Sequence, residues 1–281
     1  MSQIEKGSLY IVATPIGNTD DITERARQVL AAVDAIAAED TRDSRRLLQH
    51  LGIDTPLFAL HEHNETQQAE AVIRRLQEGE SIALVSDAGT PLISDPGYPL
   101  VHQARLAGVK VVPVPGASSV LAALSCSGLP TDRFVFEGFL PAKAGARQKR
   151  LSELASDSRT HIFFEAPHRI SDCLQDLQTV FGADRQAVLA RELTKTYETF
   201  LAGTVSELLA QVQADSNQQR GEMVLVLAGN TRATGIDAAA EKIFFTLLEE
   251  LPLKQASQLA ARITGIGKNV FYQAGLDKAG R

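Results

Sequence analysis

Ile82-Ala83-Leu84-Val85-Ser86-Asp87-Ala88-Gly89-Thr90-Pro91-Leu92-Ile93-Ser94-Asp95-Pro96-Gly97 is the stretch that decides the fold. A short apolar run passes directly into twelve residues, Ser86 to Gly97, that hold two Asp, two Pro and two Gly. An apolar run of this length bounded by turn residues reads as a strand covered on both faces, as in a parallel sheet. Open α/β sheets place their ligands at the carboxyl ends of such strands. Asp, Gly and Pro also build plain turns. A plain turn takes about two to five residues, so the longer polar loop reads as a ligand segment in which glycines let the backbone approach and carboxylates accept hydrogen bonds.

The same alternation extends in both directions. Strands are expected at Leu9 to Ala13, Ala35 to Ala38, Leu57 to Leu60, Ile82 to Ser86 and Val109 to Val114, with helices such as Ile22 to Val33 and Glu65 to Gln77 between them. They make one α/β domain over residues 1–115. A second α/β domain over 116–230 follows from Phe134 to Phe136, His161 to Glu165, Ala187 to Arg191, Thr199 to Leu201 and Met223 to Ala228, with helices near Arg147 to Ala155 and Ile170 to Phe181. After Asn230, three helices without strands (Asp237 to Leu251, Lys254 to Thr264, Lys268 to Leu276) form a helical extension, 231–281. The turn Gly265-Ile266-Gly267 suits a helix-turn-helix. From Lys254 onward Lys254, Arg262, Lys268, Lys278 and Arg281 face the single acid Asp277, a pattern that fits a packing hairpin or a nucleic-acid contact.

The chain has 281 residues, 44% hydrophobic and 22% charged, which excludes disordered, collagenous and disulfide-scaffold classes. Its formal charge of −6 advertises no polyanion partner, so a nucleic-acid contact has to be local. Cys126 and Cys173 read as buried thiols rather than a bridge. Residues Met1 to Tyr10 lack signal-peptide features, and Val111 to Thr131 is interrupted by Pro113, Pro115 and Pro130, so a cytoplasmic protein without a membrane helix is expected.

Three further loops fall at strand ends. Ala13-Thr14-Pro15-Ile16-Gly17-Asn18 is a tight turn that is either structural or part of a site. Pro113 to Ser119 leads into the helix Val120 to Leu124, whose N-terminus suits a carboxylate or phosphate. In Phe163 to Arg169, an unpaired Glu165 is costly in a dry core, so a cleft is expected there. The segment Arg191 to Glu198 is dense in groups for acid–base work or phosphate binding, and reads equally as a solvated connection. Two polar clusters, Glu39-Asp40-Thr41-Arg42 and His61-Glu62-His63-Asn64-Glu65, complete the set; the histidine spacing does not suit zinc. No dinucleotide fingerprint, P-loop or nucleophile elbow is present.

Together, Thr14 to Asn18, Ala38 to Arg42, Ser86 to Gly97, Pro115 to Ser118 and Glu165 to Arg169 resemble the tetrapyrrole-methylase family of S-adenosylmethionine-dependent enzymes. Within it they are most similar to the RsmI-type branch, which 2′-O-methylates a cytidine of 16S rRNA. The resemblance runs from about residue 7 to the end. It implies two α/β domains flanking a cofactor cleft, S-adenosyl-L-methionine as cofactor, 16S rRNA in the small ribosomal subunit as substrate, a homodimer, and neither metal nor membrane. By position, Pro15, Asp87, Ile93, Ser118, Ser119, Ala166 and Met223 match the cofactor lining. Lys195, as a neutral amine in dry surroundings, and Glu165 are the base candidates. Arg42, His168 and Arg169 are phosphate contacts. Lys254 and Lys268, with the segment Lys143, Arg147, Lys149 and Arg150, are RNA-facing. The chain departs from the porphyrin-methylating members by its longer Ser86 to Pro91 segment in place of a Gly-Asp-Pro turn. Rival expectations are a same-fold enzyme acting on a small molecule such as a tetrapyrrole, and a non-catalytic nucleic-acid-binding regulator.

Overall fold

The computed structural model describes residues 4–61, 65–230, 236 and 238–279; Glu62, His63, Asn64, Asp237 and Arg281 lie outside the described residues. Two compact units emerge, one running to Ala123 and joined by Glu192–Thr199, the other comprising Leu124–Arg191 and the chain from Phe200.

The first unit holds β1 (Ser8–Val12), α1 (Glu24–Ala32), β2 (Ala35–Ala38), α2 (Thr41–Leu51), β3 (Leu57–Ala59), α3 (Glu65–Gln77), β4 (Ile82–Val85), α4 (Tyr98–Leu106), β5 (Lys110–Val114) and, at its end, α5 (Ser119–Cys126). The strand order is β3-β2-β4-β1-β5, and every pair is parallel, with Leu9 opposite both Ile82 and Val111. Successive residues face opposite sides. Leu9, Ile82 and Leu84 therefore pack with Leu76 and Leu100, while Tyr10, Val12, Ala83 and Val85 pack with Val29 and Leu30. Thr23 caps α1 by accepting from the Ala26 amide, and Asp40 caps α2 by accepting from Arg42. The neighbours β1 and β4 send their connections to opposite flanks of the sheet, toward β2 and β5 respectively. This makes their carboxyl ends the switch point where such folds bind ligands.

The second unit is a mixed sheet. Its strands β6 (Phe134–Phe139), β7 (Thr160–Glu165), β8 (Gln186–Arg191), β9 (Thr199–Thr204) and β10 (Met223–Leu227) lie in the order β6-β7-β10-β8-β9. β6 and β7 are parallel, whereas β10 runs antiparallel to β7 and β8. Helices α6 (Ala144–Leu154), α7 (Ile170–Phe181) and α8 (Val205–Ala214) cover a core of Leu151, Phe163, Leu174, Leu177, Leu208 and Leu225. The last three helices, α9 (Ala238–Glu250), α10 (Leu253–Thr264) and α11 (Lys268–Ala279), pack around Phe244, Ala256, Ala260 and Phe271. Gly265 ends α10 in the left-handed conformation, φ 76°.

Two expectations are corrected. Cys173 is buried, but Cys126 is exposed at the end of α5, and both are free thiols. Arg147, expected to face RNA, is enclosed against α7. Its Nε donates to Asp176 Oδ2 at 2.6 Å, and both side chains are at least nine-tenths buried. A basic residue is a poor guide to the surface when a carboxylate sits one helix away.

Candidate functional site

The loops after β1, β4 and β5 are stitched together at the switch point. Thr14 and Gly89 exchange backbone hydrogen bonds at 2.9 and 3.0 Å, and the Thr90 hydroxyl donates to the Ala117 carbonyl at 3.0 Å. Glycine is required where the loops touch. A Cβ on Gly116 would lie 2.9 Å from the Ala13 Cβ, and one on Gly89, held at φ 81°, would press on Ile16. Leu92 and Ser94 also adopt left-handed backbone, φ 74° and 66°. Such strain in non-glycine residues concentrates at ligand sites. Pro15, Ser118 and Ser119 are half-buried here, and Asp87 and Ile93 are exposed, so the five first-unit residues expected to line a cofactor share one set of loops.

Carboxylates dominate the electrostatics. The Asp40 amide donates to Asp87 Oδ1 at 3.0 Å, and the Asp87 amide faces Glu39 Oε2 at 3.4 Å. Partial burial, reinforced by the charge of Asp87 and then Asp95, holds the Glu39 carboxyl above its ordinary range. Burial also raises Asp87, with Asp40 adding repulsion, and raises Asp95, where a Ser86 hydrogen bond opposes and Asp87 adds. None of Glu39, Asp87 and Asp95 forms an ion pair among the described residues. Arg42 instead pairs with Asp40, Nη2 to Oδ2 2.5 Å, with its side chain largely in solvent. The site is short of positive charge.

A second element of the first unit is the turn Glu192–Thr199. Thr194 Oγ1 accepts from the Asn18 amide at 3.1 Å, and a Cβ on Gly17 would overlap Lys195 Cγ, so the lysine stem lies on the β1 loop. Lys195 Nζ is 2.9 Å from Glu192 Oε1. Glu192 and Thr194 both hold left-handed backbone, φ 53° and 65°. The sequence marked this segment as polar, but nothing in it told that the turn packs against Gly17 and Asn18.

In the second unit the corresponding strand end is closed. Glu165 does not line an open cleft. Its side chain has no exposed surface, its Oε1 accepts from the Ala166 amide at 2.8 Å, and Arg169 Nε lies 3.1 Å away. Arg169 Nη2 also donates to the Leu140 carbonyl at 2.6 Å, and Arg147 Nη1 donates to the Ala142 carbonyl. The buried Arg147 and the half-buried Arg169 therefore fix the connection after β6. Burial, with Glu165 beside it, pushes the Cys173 thiol well above its ordinary range. Met223 is buried opposite Glu165 in the ladder, Ala166 is half-buried and His168 is exposed. Arg150 is bound to Glu137 and Glu153, whereas Lys143, Lys149, Lys254 and Lys268 are exposed.

Parallel strands with a glycine-lined carboxyl edge, together with a mixed second sheet, define an α/β protein with a candidate ligand site at the switch point of its first sheet. The chain matches the Tetrapyrrole (Corrin/Porphyrin) Methylases over residues 8–209 and the RsmI C-terminal HTH domain over 234–279. It belongs to the tetrapyrrole methylase family. It is 56% identical over 278 residues to Ribosomal RNA small subunit methyltransferase I of Pseudomonas aeruginosa, covering 98% of this chain and 99% of that one. Identity to the protein of the same name from Escherichia coli O157:H7 is 54% over 276 residues, covering 98% and 96%. Similar solved structures include diphthine synthase, with TM-score 0.61, 17% identity, and 79% and 90% of the two chains covered. Uroporphyrin-III-C-methyltransferase from Thermus thermophilus gives TM-score 0.56, 19% identity, and 79% and 94% covered. These two bear on the fold alone.

Proposed function

We propose that this chain is an S-adenosylmethionine-dependent methyltransferase that methylates a cytidine 2′-oxygen of 16S rRNA in the small ribosomal subunit. Identity above 50% over nearly the whole length of two proteins named Ribosomal RNA small subunit methyltransferase I carries the reading. The 2′-hydroxyl is what separates RNA from DNA. A net charge of −6 favours folded subunits over naked RNA as substrate. A homodimer working in the cytoplasm, with 231–281 as the RNA-facing extension, completes the proposal.

The donor set of the first unit fits the cofactor. Glu39, Asp87 and Asp95 present uncompensated negative charge to a ligand bearing an ammonium, a sulfonium and a ribose diol, and the N-terminus of α5 at Ser118 and Ser119 offers amides to its carboxylate. Pro15, Asp87, Ile93, Ser118 and Ser119 would hold it. When bound, the cofactor supplies an electrophilic methyl group. The chain has to place a hydroxyl in line with that methyl, worth roughly 7–11 kcal/mol of barrier, and to receive a proton, worth about 10²- to 10⁴-fold. Positioning therefore outweighs base catalysis. We place Lys195 beside the reacting hydroxyl, assign Glu165 and Arg169 to holding the Ala166-Pro167-His168-Arg169 turn, and give Arg42 and His168 to phosphates and the Lys254 and Lys268 helices to RNA.

The test is transfer of labelled methyl to purified small subunits, naked rRNA and a tetrapyrrole, with nuclease mapping of ribose methylation. Label on a cytidine 2′-oxygen in subunits is expected. Label on the tetrapyrrole alone would transfer the function to small molecules. Deleting residues 236–281 is expected to weaken subunit binding and to spare cofactor binding.

A further inference from the structure

Methylating a hydroxyl leaves a proton to be disposed of, and the Lys195 amine is badly placed to take it. At 2.9 Å from Glu192 Oε1 the amine is stabilised as an ammonium, just as the carboxylate is stabilised as an anion. A protonated amine donates hydrogen bonds and accepts none. Within this pair the group with lone pairs to offer is the carboxylate.

The backbone is arranged around that carboxylate. Glu192 sits at φ 53° and Thr194 at φ 65°, two left-handed non-glycine residues in a three-residue span. Left-handed backbone in such residues persists only where surrounding contacts impose it. Those contacts are present. The Lys195 amide donates to the Glu192 carbonyl at 3.0 Å, the Glu198 amide to the Lys195 carbonyl at 3.1 Å, and the Thr194 amide to Glu198 Oε2 at 2.6 Å. The Asn18 amide then ties Thr194 to the β1 loop, and Gly17 lets the lysine stem lie flat against it. Both side chains of the pair are partly shielded, at 27% and 18% exposure, neither bulk-solvated nor sealed in the core.

We infer that Glu192 is the proton acceptor for the attacking hydroxyl, and that Lys195 is a positioning residue that keeps the carboxylate ionised and aimed. This rests on the methyltransferase reading above. In the step, the hydroxyl oxygen forms the new O–CH₃ bond as the donor's C–S bond breaks. The electron pair of that bond stays on sulfur, and the hydroxyl proton passes to a Glu192 carboxylate oxygen. Positive charge moves from sulfonium to proton, and no further co-reactant is needed.

The experiment compares wild type, Glu192→Gln, Lys195→Arg and Lys195→Met in steady-state methylation of small subunits. Calorimetric affinity for S-adenosylhomocysteine, filter binding of subunits and melting temperature are measured on the same preparations. Glu192→Gln is expected to lower kcat by about 10²- to 10⁴-fold with KM and both affinities within about threefold of wild type. Lys195→Arg, which keeps a cation beside the carboxylate, is expected to retain at least about a tenth of kcat, while Lys195→Met falls toward the Glu192→Gln level. A Glu192→Gln enzyme within tenfold of wild-type kcat would overturn the assignment. So would equal loss in Lys195→Arg and Lys195→Met. A wild type that binds S-adenosylhomocysteine but labels no RNA would instead remove the functional reading beneath it.

Discussion

The two sheets treat charge at their strand ends in opposite ways. At the carboxyl edge of the parallel sheet, Glu39 and Asp95 are half-buried near the exposed Asp87, with no cation paired to any of the three among the described residues. In the second unit Glu165, at the end of β7, and Asp176, on the covering helix α7, are more deeply buried, and each is matched with an arginine, Arg169 and Arg147. Burying a charge is costly unless it is paired. The paired end is finished architecture, whereas the unpaired end retains electrostatic free energy that a cationic ligand can release.

The largest expected effect breaks the finished end. Removing one partner of a buried pair costs about 3–5 kcal/mol, so Arg147→Met should lower stability to urea by that order. The double variant Arg147→Met with Asp176→Leu should recover most of the loss, since two apolar residues leave no stranded charge. At the open end the sensitive element is the loop contact. Gly116→Ala, which forces a Cβ within 2.9 Å of Ala13, should cost about 1–3 kcal/mol and weaken binding of S-adenosylmethionine, read by denaturation and calorimetry together.

A third expectation concerns pH. His161 is buried in β7 with Nδ1 3.6 Å from Glu137 Oε1, and burial holds its imidazole below the ordinary 6.5 against the pull of Asp157 and Glu137. The folded chain thus binds fewer protons than the unfolded one, so stability is present above pH 6.5 and falls as pH drops from there through the lowered folded value. Urea midpoints between pH 7 and 5 should show this, and His161→Phe should flatten the slope. The smallest effect belongs to the exposed cations. Lys254→Glu with Lys268→Glu should leave stability within about 0.5 kcal/mol, while weakening subunit binding and reducing its salt dependence by about one to two contacts.

The parallel sheet was legible because its signal is local. Apolar runs such as Ala35 to Ala38 and Ile82 to Val85 ended in Gly- or Asp-marked loops, and Glu65–Gln77 is helical over the full span that its periodicity indicates. Helix α2 was harder to read, since it buries only Ser44 and Leu48 over Thr41–Leu51 and its opening stretch Thr41-Arg42-Asp43-Ser44-Arg45-Arg46 looks like a polar cluster. The family motifs located the loops of the first unit, but not their electrostatic state. That state depends on Glu39, Asp87 and Asp95 converging from two loops, 47 and 48 residues apart in the hydrogen bonds that join them. Helical spacing places Arg147 on the face of the buried Leu151 and Leu154 and Lys149 on the opposite one, but a guanidinium does not read as a core group, and its partner Asp176 lies 29 residues away on another helix. The Glu192–Lys195 pair was visible only as a run of polar residues, because left-handed backbone at glutamate and threonine leaves no mark in composition.

Two aspartates test the contrast between finished and open ends most directly. Calorimetric titration of S-adenosylmethionine into Asp87→Asn and Asp176→Asn, with melting temperatures on the same samples, separates ligand charge from scaffold charge. A carboxyl held above its ordinary range favours the fold at low pH and opposes it once ionised, so Asp87→Asn should melt at or above wild type while binding at least about tenfold more weakly, some 1.4 kcal/mol. Asp176→Asn, leaving Arg147 buried without its counter-charge, should melt several degrees lower with affinity within about twofold of wild type. Unchanged affinity in Asp87→Asn, or a melting loss there as large as in Asp176→Asn, would contradict the assignment of the parallel sheet's edge as the ligand site.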